Sequence, residues 1–442
     1  MKKNKWINII VTAAVLFSTS GCMDSFSDIK SNNKILPKDV WNDPAAITGI
    51  LANMYNSMII EDFSYFYGDY SWRSMDLSAM SDECTAGFQK EPAFDQYNAV
   101  FEYPDEFLGN YIYIQGDQGG EGNVRSVYPE SYRLIRNCND FLEKIIDAPM
   151  NEDEKKTTIG EVKFLRAWVY FTLVKRYGGV PILREPQEYV GDIESLKVPR
   201  DTEKACYDFI AEDLDKAFRL LPDNEEILGK GRATKYAALA LKSRAMLYAG
   251  SIARYGTVDL NGLVGIDKAL ANDYFELAYK AVKELEKSKK FSLYRKNSDK
   301  EKNFAELFLA EDSPENIFCK YFQRNVNAHG WDVYFVPYQY RGNGFSSNMN
   351  PTLEFVEMFE HKDGTPANFA ERAKDTYFDD PSELFQNMDA RFGGSIIYPN
   401  AIFKGEPCSI QKGLIIEDGS KKENATNYEE AVYTANDGQV YH

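Results

Sequence analysis

A mainly all-α protein, built as stacked helical hairpins with long aromatic-rich loops and a few short strands, is predicted by three observations. Between about residues 42 and 289, apolar residues recur at the helical period in six segments. Those segments are of similar length, and several are bounded by cap or breaker residues. Two tracts, 63–123 and 318–350, lose that period and are crowded with Tyr, Phe and Trp, so strands are expected there only as short hairpins.

The first helix is opened by Asn42-Asp43-Pro44, a cap and a Pro at a first helical position, and carried by Ile47, Ile50, Leu51, Met54 and Tyr55. Tyr132, Ile135, Cys138, Leu142 and Ile145 predict the second over about 128–147. The third starts at the acidic run Asn151-Glu152-Asp153-Glu154, passes through Val162, Leu165, Val169, Leu173 and Tyr177, and stops at Gly178-Gly179-Val180-Pro181. Asp201-Thr202-Glu203 opens the fourth, whose apolar face runs from Cys206 to Leu221 before Pro222. The fifth, about 232–250, is rich in alanine and can approach its neighbours closely; a sixth spans about 271–289. Antiparallel pairs of this length with one small-residue member resemble tetratricopeptide-like hairpins, which stack into a superhelix.

The 442 residues are 44% hydrophobic and 14% aromatic, enough for a large core and too apolar for general disorder. The formal charge of −17 excludes a nucleic-acid binder, which needs a positive footprint to displace counterions from phosphate. Residues 1–21 combine Lys2, Lys3 and Lys5 with an apolar run from Ile7 to Phe17, too short to span a membrane, and so read as a secretory signal. Thr19-Ser20-Gly21-Cys22 resembles a lipobox, in which the Cys22 thiol is acylated and becomes the mature N-terminus. Loss of the three lysines takes the charge to −20, so membrane attachment would come from the lipid rather than from the protein surface. Cys84, Cys138, Cys206, Cys319 and Cys408 are scattered, a poor framework for disulfides or a metal, and Cys138 and Cys206 fit as small buried residues.

Several blocks carry a family resemblance: Tyr132-Arg133-Leu134-Ile135-Arg136-Asn137-Cys138-Asn139-Asp140-Phe141-Leu142, Gly160-Glu161-Val162-Lys163-Phe164-Leu165-Arg166-Ala167-Trp168-Val169-Tyr170-Phe171, and Tyr177-Gly178-Gly179-Val180-Pro181. Asn350-Pro351-Thr352-Leu353-Glu354-Phe355, Asp363-Gly364, Met388-Asp389-Ala390-Arg391-Phe392 and Phe403-Lys404-Gly405 follow in order. Together they resemble the SusD/RagB family, with Ala390 where that family often has Pro. The resemblance implies a signal peptide over 1–21, a SusD-like helical region over 22–300 and a RagB/SusD region over 301–442. Family members usually continue into a further helical segment, so the chain is expected to be C-terminally truncated and less stable than a longer relative.

The same resemblance implies a lipid-anchored, surface-exposed outer-membrane protein that works with a SusC-like TonB-dependent transporter, capturing a glycan, or alternatively a peptide, for import. No cofactor is implied. Sugar binding favours flat aromatic faces with amides and guanidinium groups around the hydroxyls. Trp331, Tyr334, Tyr338, Tyr340, Arg341 and Asn343 have that composition and are the expected ligand residues. Tyr65, Tyr67, Tyr70, Trp72, Tyr111, Tyr113 and Gln115 form a second aromatic set, read chiefly as packing. Gly116-Asp117-Gln118-Gly119-Gly120-Glu121-Gly122-Asn123 lacks the ligand alternation of a calcium loop and reads as a turn, and no metal site is expected. With only three histidines and no HExxH, GxSxG or P-loop, an enzyme is disfavoured; a glycosidase carboxylate pair can always be found among 68 acids and so carries no weight.

Overall fold

A computed structural model describes residues 40–58, 82–86, 127–224, 228–323, 336–340, 347, 349–374, 376, 378–408, 410, 413–415 and 421–423. The leader with Cys22, the turn 116–123 and the aromatic residues 65–72 and 111–113 lie outside them. The described body is helical, as expected. Helix α1 (Pro44–Asn56) starts where Asp43 accepts a hydrogen bond from the Ala45 N–H at 2.9 Å, and it buries Ile47, Leu51 and Met54. Helix α2 (Val127–Lys144) buries Leu134, Ile135, Cys138 and Phe141, and its predicted last turn tightens into a 3₁₀ turn, Ile145–Asp147. In α3 (Glu152–Tyr177) the Asn151 side chain caps Glu154, acids fill the first turn and Lys175 and Arg176 the last, in line with the helix dipole.

Helix α4 (Glu203–Leu220) is capped by Thr202, and α5 (Lys235–Tyr255) and α6 (Ala271–Ser288) follow. The alanine-rich helix starts three residues later than predicted and runs five further. Nothing before Gly256 breaks the period, and Thr234 makes no side-chain cap bond to fix the start. Each helix from α2 to α6 packs on the next in chain order, the arrangement of a hairpin stack. The predicted close approach occurs between α5 and α6, where Gly250 faces the Phe275 ring and a Cβ would lie 2.5 Å from it.

Two buried charge clusters tie the stack together. Asp213 on α4, wholly buried, accepts two parallel bonds from Arg166 on α3, at 2.7 and 2.9 Å, and Lys163 Nζ lies 3.2 Å away. Arg166 also donates to the Asn139 side chain of α2 at 2.7 Å. Glu161 on α3 accepts from Tyr55 Oη of α1 at 2.8 Å and from Arg232 Nε at 2.7 Å, while the Tyr55 oxygen accepts the Ala233 N–H. Burial raises the Glu161 carboxyl above its usual range, opposed by Arg232 and Tyr55.

A second apolar cluster gathers Val356, Ala367, Phe369, Met388, Phe392 and Ile396. Beyond α7 (Lys300–Leu309), the helices α8 (Leu353–Glu357), α9 (Phe369–Ala373) and α10 (Ala390–Ser395) supply Val356, Phe369 and Phe392, and α7 is seated against Gly393 and Gly394 of α10. The strands are short, as expected: β1 (Cys84–Ala86) with β2 (Met349–Pro351), β3 (Ile402–Phe403) with β4 (Glu406–Pro407), and β5 (Gly413–Ile415) with β6 (Lys421–Glu423), all antiparallel.

All five described cysteines are free thiols. Burial pushes Cys138 up to about 12 and Cys206 up to about 11, so neither forms thiolate near neutral pH. Iodoacetamide at pH 8 is therefore expected to leave both unlabelled in the native protein and to label both in urea. Peptide mapping by mass spectrometry checks this, and native labelling of Cys138 would contradict the packing of α2.

Candidate functional site

The two aromatic tracts, about 200 residues apart in the chain, meet at one small sheet. Strand β1, inside the first tract, pairs with β2 at the end of the second: Cys84 opposes Pro351, Thr85 opposes Asn350 and Ala86 opposes Met349. Thr352 extends the junction by donating its N–H to Glu83 O at 3.0 Å and its hydroxyl to Asp82 O, while its side chain caps α8. One residue thus fastens a loop root and starts a helix.

The predicted ligand tract is anchored just upstream of β2. Val336, fully buried, accepts the Ser347 N–H at 3.0 Å, which holds these two positions together. Between them, Tyr338–Tyr340 form a single 3₁₀ turn. Tyr340 donates its hydroxyl to Phe403 O at 2.6 Å and sets its ring edge-on to Phe403, 5.3 Å between centroids, and Gln339 donates to Pro407 O at 3.0 Å. Tyr340 is thereby committed to the β3–β4 hairpin and acts as an anchor of the loop. Trp331, Tyr334, Arg341 and Asn343 lie outside the described residues, and of Tyr338 only the backbone is described. Phe318, the first aromatic of the tract, packs back on the helices, 5.1 Å from the Phe164 ring and 6.1 Å from Trp168.

A concavity that the sequence reading did not single out lies between α2 and the strap 181–198 that follows α3. It encloses about 340 Å³ and is lined by Tyr128, Tyr132 and Arg136 of α2 and by Leu183, Glu185 and Gln187 of the strap, among others. The three α2 residues are spaced by four and share one helix face. The sequence carries that polar-aromatic stripe, but Tyr132 also fits the apolar period of α2. It is half-buried: its hydroxyl donates to Pro181 O at 2.8 Å, and burial holds it far above the ordinary phenol range, so it serves as a donor. The strap is pinned by Asn139, which donates to Leu183 O and Glu185 O, by Arg166 to Arg184 O, and by Arg136 to Gln187 O.

Stacked antiparallel helical hairpins, with loop roots gathered at a small sheet, define a helical-repeat protein of the tetratricopeptide-like kind. The chain belongs to the SusD/RagB family. The profile described as starch-binding and associating with the outer membrane matches residues 26–247, and the SusD family profile matches residues 314–441. Among curated proteins, the chain is similar to a SusD-like protein of Bacteroides ovatus, 24% identical over 61% of this chain and 43% of the relative. It is also similar to SusD-like protein P2 of Formosa agariphila, 25% identical over 55% and 44%. The matches span less than half the length of either relative. Among solved structures, a SusD-like protein of Bacteroides fragilis aligns at a TM-score of 0.61 with 26% identity, covering 87% of this chain and 68% of that one. A SusD-like carbohydrate-binding protein of the same species aligns at 0.59 with 21% identity, covering 84% and 62%, a likeness of fold.

Proposed function

We propose that the protein is a cell-surface glycan-binding lipoprotein that captures oligosaccharide and passes it to a SusC-like TonB-dependent transporter in the outer membrane. Cys22 carries the lipid, residues 22–300 form the scaffold, and residues 301–442 supply the incoming loop tract. The observation that carries this reading is the β1–β2 pairing, which roots both aromatic tracts at one place on the family's helical scaffold. Membership of a family described as starch-binding and outer-membrane-associated supports the ligand class and the location. The protein holds its ligand and performs no chemistry on it.

Binding of a panel of polysaccharides and oligosaccharides to the soluble form beginning after Cys22 tests the reading. Saturable binding to one glycan is expected, with a loss of affinity of about 5- to 150-fold in Trp331→Ala, because stacking of one aromatic face is worth about 1–3 kcal/mol by analogy with base stacking. Turnover of any glycan, or peptide binding without glycan binding, would overturn it.

A further inference from the structure

The concavity between α2 and the strap has walls that are fixed before any ligand arrives. Leu183 is held on both sides: its N–H donates to Tyr170 Oη at 2.8 Å, and its carbonyl accepts from the buried Asn139 amide at 2.9 Å. Asp201 accepts the Ile182 N–H at 2.8 Å, and Gln187 donates to Leu196 O at 2.9 Å, which ties the two limbs of the strap together. Pro181 and Pro186 restrict the backbone between these anchors. On the helix side the Tyr128 ring is set by Tyr132, 4.8 Å between centroids, and by Tyr177, edge-on at 5.2 Å. A cavity so braced loses little conformational freedom on binding. Its volume of about 340 Å³ lies at the small end of ligand sites, which run from about 300 to 1,000 Å³.

The lining is mixed in a way that selects the ligand. Tyr128 and Tyr132 supply aromatic surface and Leu196 and Val198 aliphatic surface, while Arg136, Glu185 and Gln187 supply polar groups. Arg136 gives one Nη1 bond to Gln187 O and keeps Nε 3.7 Å from Asp140, which leaves donors of its fork for a ligand. The Glu185 carboxylate makes no ion pair or side-chain hydrogen bond among the described residues. A cation is opposed by the Arg136 guanidinium and an anion by Glu185, while a wholly apolar molecule would strip both of water and give them no partner. A zwitterion would have to lose hydration at both of its charges. An uncharged sugar ring meets every wall with matching chemistry. Its hydroxyls donate to Glu185 and Gln187 and accept from Arg136, and its C–H face lies against the tyrosine rings.

We propose that this cavity is a second sugar subsite, which holds a mono- or disaccharide length of uncharged glycan on the helical scaffold and shares no residue with the tract of Trp331 and Tyr338. The ligand class rests on the reading above; the position of the subsite does not.

The test is calorimetric titration of the full-length protein, in a sugar-free detergent, with maltose, cellobiose, laminaribiose, xylobiose and mannobiose. Glucuronate and glycylglycine serve as anionic and zwitterionic controls. In Trp331→Ala, which removes an aromatic face of the loop tract, saturable binding of at least one disaccharide is expected to remain. Adding Val198→Trp, a bulkier side chain at a rim position that is 39% exposed, is expected to remove it. Adding Glu185→Gln instead is expected to weaken it about tenfold with an unchanged thermal midpoint, because a charged acceptor is lost. Disaccharide binding that neither added change weakens overturns the subsite and leaves the glycan reading standing, as does a parent that binds longer glycans but no disaccharide. Glucuronate or glycylglycine bound more tightly than any disaccharide, and lost in Val198→Trp, also overturns the proposal and assigns the cavity to a charged ligand. A parent that binds no glycan of either length overturns both readings.

Discussion

Replacing Asp213 by alanine is expected to cost the protein about 3–5 kcal/mol of stability, because it leaves Arg166 and Lys163 with uncompensated charge inside the stack. The carboxylate itself is wholly buried and its two parallel bonds to Arg166 join α3 to α4. Burial already lowers the Lys163 ammonium below its usual range, even with Asp213 beside it. Removing the carboxylate therefore removes the only favourable partner shown for that ammonium among the described residues. Urea unfolding monitored by circular dichroism checks the loss. A cost below about 1 kcal/mol would mean that water reaches the cluster, as it does at exposed ion pairs. The damage should extend to the strap, because Arg166 holds Asn139 and Arg184 O in the same network.

The Gly179→Ala variant is expected to lose about 3 kcal/mol or more, for a purely steric reason. A Cβ at that position would sit 2.0 Å from Asp201 O and 2.8 Å from Glu203 N, and both obstacles are backbone. The Gly179 N–H meanwhile donates to Leu263 O at 2.6 Å, so the chain cannot shift without losing that bond. Gly49→Ala is the matched control. It lies exposed in α1 with nothing within 4 Å of its Cβ, and the change should instead stabilise by about 0.5–1 kcal/mol. Thermal melts of the two variants should move in opposite directions, and a common direction would contradict the packing of the Gly-Gly-Val-Pro segment.

The helices were legible because their signals are local. Asp43-Pro44, Asn151 and Thr202 each cap the helix that the period predicts, and Gly178 ends α3 with φ +67°. The start of α5 was misplaced for the same reason: without a side-chain cap, its boundary is set by packing rather than by a residue pattern. The site was less legible. Three-residue strands show no alternation long enough to register, and the partner of Cys84 lies on the far side of the helical stack in sequence. Tyr132 satisfies the apolar period of α2, yet its neighbours at four-residue spacing, Tyr128 and Arg136, place it on the cavity wall. Tyr340 fits a ligand composition, and only its bond to Phe403 O reveals it as an anchor.

The β1–β2 pairing makes assembly of the loop roots conditional on the rest of the molecule. Its partners are ~270 residues apart, and closing so long a loop in an unfolded chain costs about 5 kcal/mol, more than a three-residue ladder returns. The ladder can form only after the helical stack has shortened that separation. A partly folded chain would then hold the roots of its two aromatic tracts apart, so the junction itself reports that the helical stack is complete.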